Sequence, residues 1–175
     1  MTNNILVFRT DRIGDLLITC PAIVTIKKHF PNSSITMIAS RKNYDYAKGL
    51  KIFEDVYIFP QSGLLKKINF IYNLSRKKFD YILIFDGKDR SIISSIFIPS
   101  QHKVAIIARK RLNFIWRLFK IKFVGDNEKT DLIKIFQEVI NNCKINVNIN
   151  NYNFLTQKED NNFSSEINVN NYIHI

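Results

Sequence analysis

The chain has 175 residues, 46% of them hydrophobic, with 5 Gly and 4 Pro, a balance that fits one domain with its own core and excludes collagen-like and linker-dominated chains. Its net charge of +11 calls for anionic company, whether phosphates, nucleic acid or an acidic membrane surface. Cys20 and Cys143 are far apart and match no metal spacing, so two free thiols in a reducing compartment fit better than a secreted disulfide framework.

The start, Met1-Thr2-Asn3-Asn4, has no basic leader region, and the apolar run that follows stops at Arg9. No stretch reaches the roughly 20 apolar residues that a membrane span needs. The chain therefore reads as cytoplasmic. Ile5-Leu6-Val7-Phe8 is a short continuous apolar run, the pattern of a strand covered on both faces. A polar turn, Arg9 to Gly14, leads into a helix expected over Asp15–Phe30, with Leu16, Leu17, Ala22, Ile23, Ile26 and Phe30 at helical spacing. Pro21 is expected to kink it or delay its regular part, and Pro31 to stop it.

Strands are expected at Ile35–Ala39, Val56–Phe59, Tyr81–Phe85 and Val104–Ile107, and short helices at Asn43–Leu50 and Ser91–Phe97. Leu64–Lys78 reads as a helix with basic residues toward its C-terminal end, where the macrodipole favours them, and Thr130–Cys143 as a late amphipathic helix. Strands alternating with helices imply right-handed βαβ units, hence an α/β, Rossmann-like parallel sheet of about five strands with flanking helices. The organisation implied is a domain over 1–145, an Asn-rich linker over 146–171, and at Tyr172–Ile175 the first strand of a further domain.

In open α/β sheets, ligands bind beyond the carboxyl ends of the strands. The turn after the first strand, Arg9-Thr10-Asp11-Arg12-Ile13-Gly14-Asp15, is neither a Gly-rich dinucleotide fingerprint nor a P-loop. It packs two carboxylates and two guanidinium groups around one glycine, which lets the backbone approach a ligand closely. Asp15 has two readings. Held ionised at a helix start, it suits a general base taking a proton from a sugar hydroxyl. From the spacing alone a plain helix cap fits better, because acidic residues commonly cap helices. Asp11 is assigned to orienting Arg9 or Arg12. Asp86 and Lys88, after the fourth strand, read either as ligand contacts or as a simple turn.

The stretch from Ile5 through Arg9-Thr10-Asp11-Arg12-Ile13-Gly14-Asp15 to Pro21-Ala22-Ile23 resembles the opening of glycosyltransferase family 9, which includes the ADP-heptose:lipopolysaccharide heptosyltransferases. Weaker agreement follows at Lys27-Lys28-His29-Phe30-Pro31-Asn32, at Phe79–Gly87 and at Arg90-Ser91, and extends to the helix at Thr130–Cys143. The resemblance implies the N-terminal half of a GT-B fold, in which the first domain takes the acceptor and the second holds a nucleotide-sugar donor. It implies inverting, metal-independent transfer to a bacterial lipopolysaccharide or other surface-glycan acceptor, with no cofactor beyond the donor substrate. It makes Asp15 the general base, and Thr10, Asp11, Arg12, Gly14, Lys88 and Arg90 are the candidate substrate contacts beside it. The chain departs from the family in spanning about half its usual length, and in running from Ile107 into Ala108-Arg109-Lys110-Arg111 where the family has an Arg-x-Gly-Phe-like feature. A non-catalytic remnant that binds a glycan or a partner is the alternative.

From Arg90 to Gly125 there is no acidic residue, while Lys103, Arg109, Lys110, Arg111, Arg117, Lys120 and Lys122 interleave with Phe114, Trp116, Phe119 and Phe123. The segment suits peripheral contact with anionic lipid at the inner face of the cytoplasmic membrane, or binding of an acceptor's acidic groups. Nucleic acid fits least, because no recognition motif accompanies the charge. An ordinary amphipathic element with solvated charges stands beside these readings. His29, His102 and His174 are isolated and take no role, and Cys20 belongs to an apolar helix rather than to chemistry.

Overall fold

The computed structural model describes residues 3–106, 119–125 and 132–143. Within them, six strands form one parallel sheet: β1 (Asn4–Arg9), β2 (Ser34–Ala39), β3 (Asp55–Ile58), β4 (Phe79–Ile84), β5 (Ser100–Ile106) and β6 (Ile121–Val124), in the order β3-β2-β1-β4-β5-β6. This is the doubly wound order in which the chain starts at the centre, builds outward to one side, then returns to build the other. The expected α/β parallel sheet is present, with one strand more than anticipated.

Strands β1 and β2 are buried at every position after the first because both faces of the sheet are covered. Ile5 and Val7 of β1, Ile35 and Met37 of β2, and Leu83 of β4 face one core. Leu6, Phe8, Ile38, Ile82 and Ile84 face the other. The first core is closed by α1 (Ile13–His29), α2 (Tyr44–Gly49) and α5 (Leu132–Asn142), through Leu16, Cys20, Ile23, Ala47, Phe136 and Ile140 among others. The second is closed by α3 (Leu64–Ser75) and α4 (Asp89–Ile96), through Leu74 and Ile92 with Phe70 and Ile71 packed alongside. Each fully buried large side chain contributes roughly 1.5–3 kcal/mol relative to exposure, so the two layers together hold the helices against the sheet.

Three details differ from the expected boundaries. Helix α1 begins at Ile13, two residues before Asp15, and runs through Pro21 without delay. Pro21 is buried within the helix, and the Thr25 hydroxyl donates to the Pro21 carbonyl at 2.8 Å. Helix α3 ends at Ser75, so Arg76, Lys77 and Lys78 follow it instead of occupying its last turn. Lys77 turns to β3, donating to Asp55 and to the Tyr57 hydroxyl, each at 2.9 Å, and these bonds raise its pKa. The interleaved segment at Arg109–Arg117, the linker at 146–171 and the strand expected at Tyr172–Ile175 lie outside the described residues. No helix of the described residues is long and apolar enough to cross a membrane.

Candidate functional site

The sheet order makes β1 and β4 neighbours although some seventy residues of chain separate them, and their crossovers leave in opposite directions. A crevice opens beyond the carboxyl ends of two such strands. The turn after β1 and the turn after β4 meet there, and side chains knot them together.

Asp86 is the hub of the knot. Its Oδ2 accepts from the Thr10 hydroxyl at 2.6 Å, the Thr10 N–H at 3.2 Å and the Ser91 hydroxyl at 2.7 Å, while Oδ1 accepts from the Lys88 N–H at 3.2 Å. The Thr10 carbonyl in turn accepts from Lys88 Nζ at 2.8 Å and Arg90 Nη2 at 3.1 Å. Arg90 also donates to the Thr10 hydroxyl at 2.8 Å and lies over the Phe59 ring, 5.5 Å from its centroid. A carboxylate that receives several hydrogen bonds, with cations beside it, fixes a loop far more tightly than a solvated turn does.

The other half of the site is organised by Arg9. Its guanidinium is buried below the loop, donating from Nε to the Asp15 carbonyl at 3.0 Å and from Nη1 to the Phe85 carbonyl. It lies 3.4 Å from Asp11 Oδ1 and 3.8 Å from Asp15 Oδ1. Ser40 and Asn43, after β2, complete the support: Asn43 donates to the Arg9 carbonyl at 2.8 Å and Ser40 to the Asp11 carbonyl at 2.7 Å. Burial pushes the Asp11 carboxyl above its ordinary value, against the opposing pull of Arg9 and Lys88. Its Oδ1 has no hydrogen-bond donor among the described residues, consistent with a carboxyl held in place by charge alone.

Asp15 sits at the third helical position of α1, where its Oδ2 accepts from the Arg12 N–H at 3.2 Å. The expected cap is therefore real, reaching back to the residue before the helix, and it leaves the carboxylate open: the side chain is 42% exposed, against 20% for Asp11. Arg12 and Gly14 are exposed at the same mouth, and a Cβ added to Gly14 would meet nothing within 4 Å. Thr10, Asp11, Arg12, Gly14, Asp15, Lys88 and Arg90 thus converge on one edge of the sheet. Lys88 and Arg90 are committed to Thr10, while the Arg12 side chain makes no ion pair among the described residues.

Sequence reasoning gave Ser40 and Asn43 no part in the site, placed Arg9 in the loop only as a group for Asp11 to orient, and left Asp86 between contact and turn. Arg9 carried one available signal, a charge closing an apolar strand, which must find partners on burial. His29 and His102 pack on Phe30 and Tyr81, away from this edge. Cys20 is fully buried, and burial pushes its thiol up to about 11. Among the described residues no cluster of His, Cys, Asp and Glu has the makings of a metal site.

Solved structures share this architecture. A glycosyltransferase family 9 protein from Veillonella parvula superimposes with a TM-score of 0.68 at 17% identity, covering 85% of this chain and 43% of that one. The fold is that of the N-terminal part of family 9 glycosyltransferases. The E. coli heptosyltransferase WaaC, solved with ADP-2-deoxy-2-fluoro heptose, matches with a TM-score of 0.63 at 16% identity over 81% of this chain and 49% of that one. E. coli ADP-heptose lps heptosyltransferase II matches at 0.62 and 12% identity, over 79% and 40%. The chain spans less than half the length of each of these family 9 folds. No protein-family model and no curated protein matches the sequence.

Proposed function

We propose that the chain is the acceptor-side domain of an inverting glycosyltransferase of the heptosyltransferase type, working with a second domain that holds a nucleotide-sugar donor. The acceptor is a lipopolysaccharide or other surface-glycan saccharide. The observation that carries this reading is Asp15: an exposed carboxylate, oriented by the Arg12 N–H, at the carboxyl end of β1 in a sheet of the family 9 fold.

In the proposed reaction an acceptor hydroxyl lies against the free face of Asp15. As its oxygen attacks the anomeric carbon, the carboxylate takes the proton, and the nucleoside diphosphate leaves from the opposite face, inverting configuration. As the resemblance to family 9 implies, no metal takes part. Arg12 is free to meet an acidic group of the acceptor, and Arg90 and Lys88 hold Thr10 at the crevice wall. The open space over Gly14 admits the saccharide close to the backbone.

The test pairs two substitutions in the protein supplied with its donor-binding domain. Asp15→Asn keeps an oxygen for the Arg12 N–H, so melting temperature and acceptor affinity stay near wild type while turnover falls by roughly 10²–10⁴-fold, the usual contribution of a general base. Asp11→Asn lowers turnover less, because Asp11 faces Arg9 rather than the mouth. Near-normal turnover in Asp15→Asn would make Asp15 a cap only. Saccharide binding to the chain without any dependence of turnover on Asp15 would favour a glycan-binding domain.

A further inference from the structure

Helix α3 has an apolar side that the core does not use. Phe70, Ile71 and Leu74 pack toward the sheet, spaced as one helical face. Leu64, Leu65, Ile68 and Tyr72 share a different flank and are 73%, 80%, 54% and 58% exposed. An amphipathic helix of a core normally gives its second side to polar residues. A row of four large apolar side chains along an exposed helix, far from the scattered single cases common on surfaces, marks a docking surface.

The charges around the row identify its partner. No acidic residue occurs between Asp55 and Asp80, while Lys66, Lys67, Arg76, Lys77 and Lys78 all fall in that interval. Lys66, Arg76 and Lys78 are exposed. We infer that α3 lies on an anionic phospholipid surface, inserting Leu64, Leu65, Ile68 and Tyr72 at the headgroup boundary with Lys66 and Arg76 on the lipid phosphates. A second copy fits poorly, since a two-fold contact through this flank would set the same cations against one another. Helix α3 starts where the chain leaves β3 by Phe59, beside Arg90, so the bound helix would place the crevice next to the bilayer. Its residues are separate in sequence from the Arg90–Gly125 segment, and the inference stands on α3 alone, whatever reaction the crevice performs.

The test is cosedimentation of the purified chain with phosphatidylcholine vesicles, with and without phosphatidylglycerol. Wild type binds the phosphatidylglycerol vesicles, more weakly as salt rises, and binds phosphatidylcholine alone poorly. The double variant Leu64→Ser/Leu65→Ser keeps the wild-type melting temperature, because neither side chain is in the core, and loses roughly ten-fold or more in vesicle affinity. Lys66→Gln and Arg76→Gln each lose about five-fold. The inference is overturned if wild type ignores phosphatidylglycerol vesicles, or if binding persists unchanged in the leucine double variant, which would place lipid contact elsewhere. It is equally overturned if the leucine substitutions instead dissolve a dimer seen by sedimentation equilibrium in a chain that binds no vesicles.

Discussion

Asp11 and Asp15 are four residues apart in one loop, yet their surroundings separate them. Asp15 is presented to solvent with a backbone N–H at one oxygen; Asp11 is drawn down toward Arg9, and burial raises its pKa above 3.8. The consequence for stability has a definite sign. A carboxyl whose pKa is higher folded than unfolded binds its proton more tightly in the folded state. Its contribution is therefore fully present below the unfolded value and is lost as pH rises through the folded one. Asp11→Asn removes that titration. The melting temperature of the variant minus that of wild type should rise as pH climbs from below 3.8 through the raised value, then level off. Thermal melts of both proteins over this range check it. A difference that falls with pH would mean that Arg9 outweighs burial and holds Asp11 as a stabilising carboxylate.

At the scale of elements, the strands plainest in the sequence are those buried on both faces, although the edge strand β3 was legible too as the apolar run Val56–Phe59. Ile5–Phe8 and Tyr81–Phe85 are unbroken apolar runs, and Ile35–Ala39 is interrupted only by the buried Thr36, because the sheet has no solvent side there. The strand β6 escaped notice for the opposite reason. It is the edge of the sheet, and the exposed Lys122 interrupts Ile121, Phe123 and Val124 amid a basic stretch. The end of α3 was overestimated because Arg76-Lys77-Lys78 suits a helix terminus locally, while Phe79 is already committed to β4. The β1 loop was legible as a site since its residues are contiguous. Its bonding to Asp86, Lys88 and Arg90 depends on which strands become neighbours, and no local pattern carries that information. The edge strand's connection to α5 offers a test of its own. Gly125 has φ +83°, and a Cβ there would stand 3.3 Å from Ile135. Gly125→Ala should cost about 1–2 kcal/mol from backbone strain, with crowding against α5 adding to it. Denaturant titration measures this, and an unchanged midpoint would show that the backbone at Gly125 relaxes freely.

For the whole molecule, the proposed reaction takes one wall of its crevice from this domain and the other from a donor-binding domain. Alignment of two substrates is worth roughly 7–11 kcal/mol of barrier, and closing a cleft around them excludes water. One wall supplies neither. The 175-residue chain by itself should bind a saccharide acceptor yet release no nucleoside diphosphate above background when given an ADP-sugar as well. A nucleotide-release assay on the purified chain decides the matter, and sustained acceptor-dependent release would show that the domain division proposed for the activity is wrong.

The central pairing of β1 with β4 also sets an order in time. Strands β1, β2 and β3 complete one wing of the sheet from the first fifty-eight residues, using only neighbours in sequence. The Thr10–Asp86 bond spans 76 positions and the Arg90–Thr10 bond 80. A chain emerging from the ribosome folds from its N-terminus onward, so the first wing can pair while β4 is still being made. During that interval the far edge of β1 is an open row of backbone donors and acceptors, and the buried guanidinium of Arg9 lacks its Phe85 carbonyl. The strand that builds the crevice is thus the one that covers the open edge of β1: until β4 docks, the chain has neither the candidate site nor a central strand paired on both sides, and both arrive in the same event.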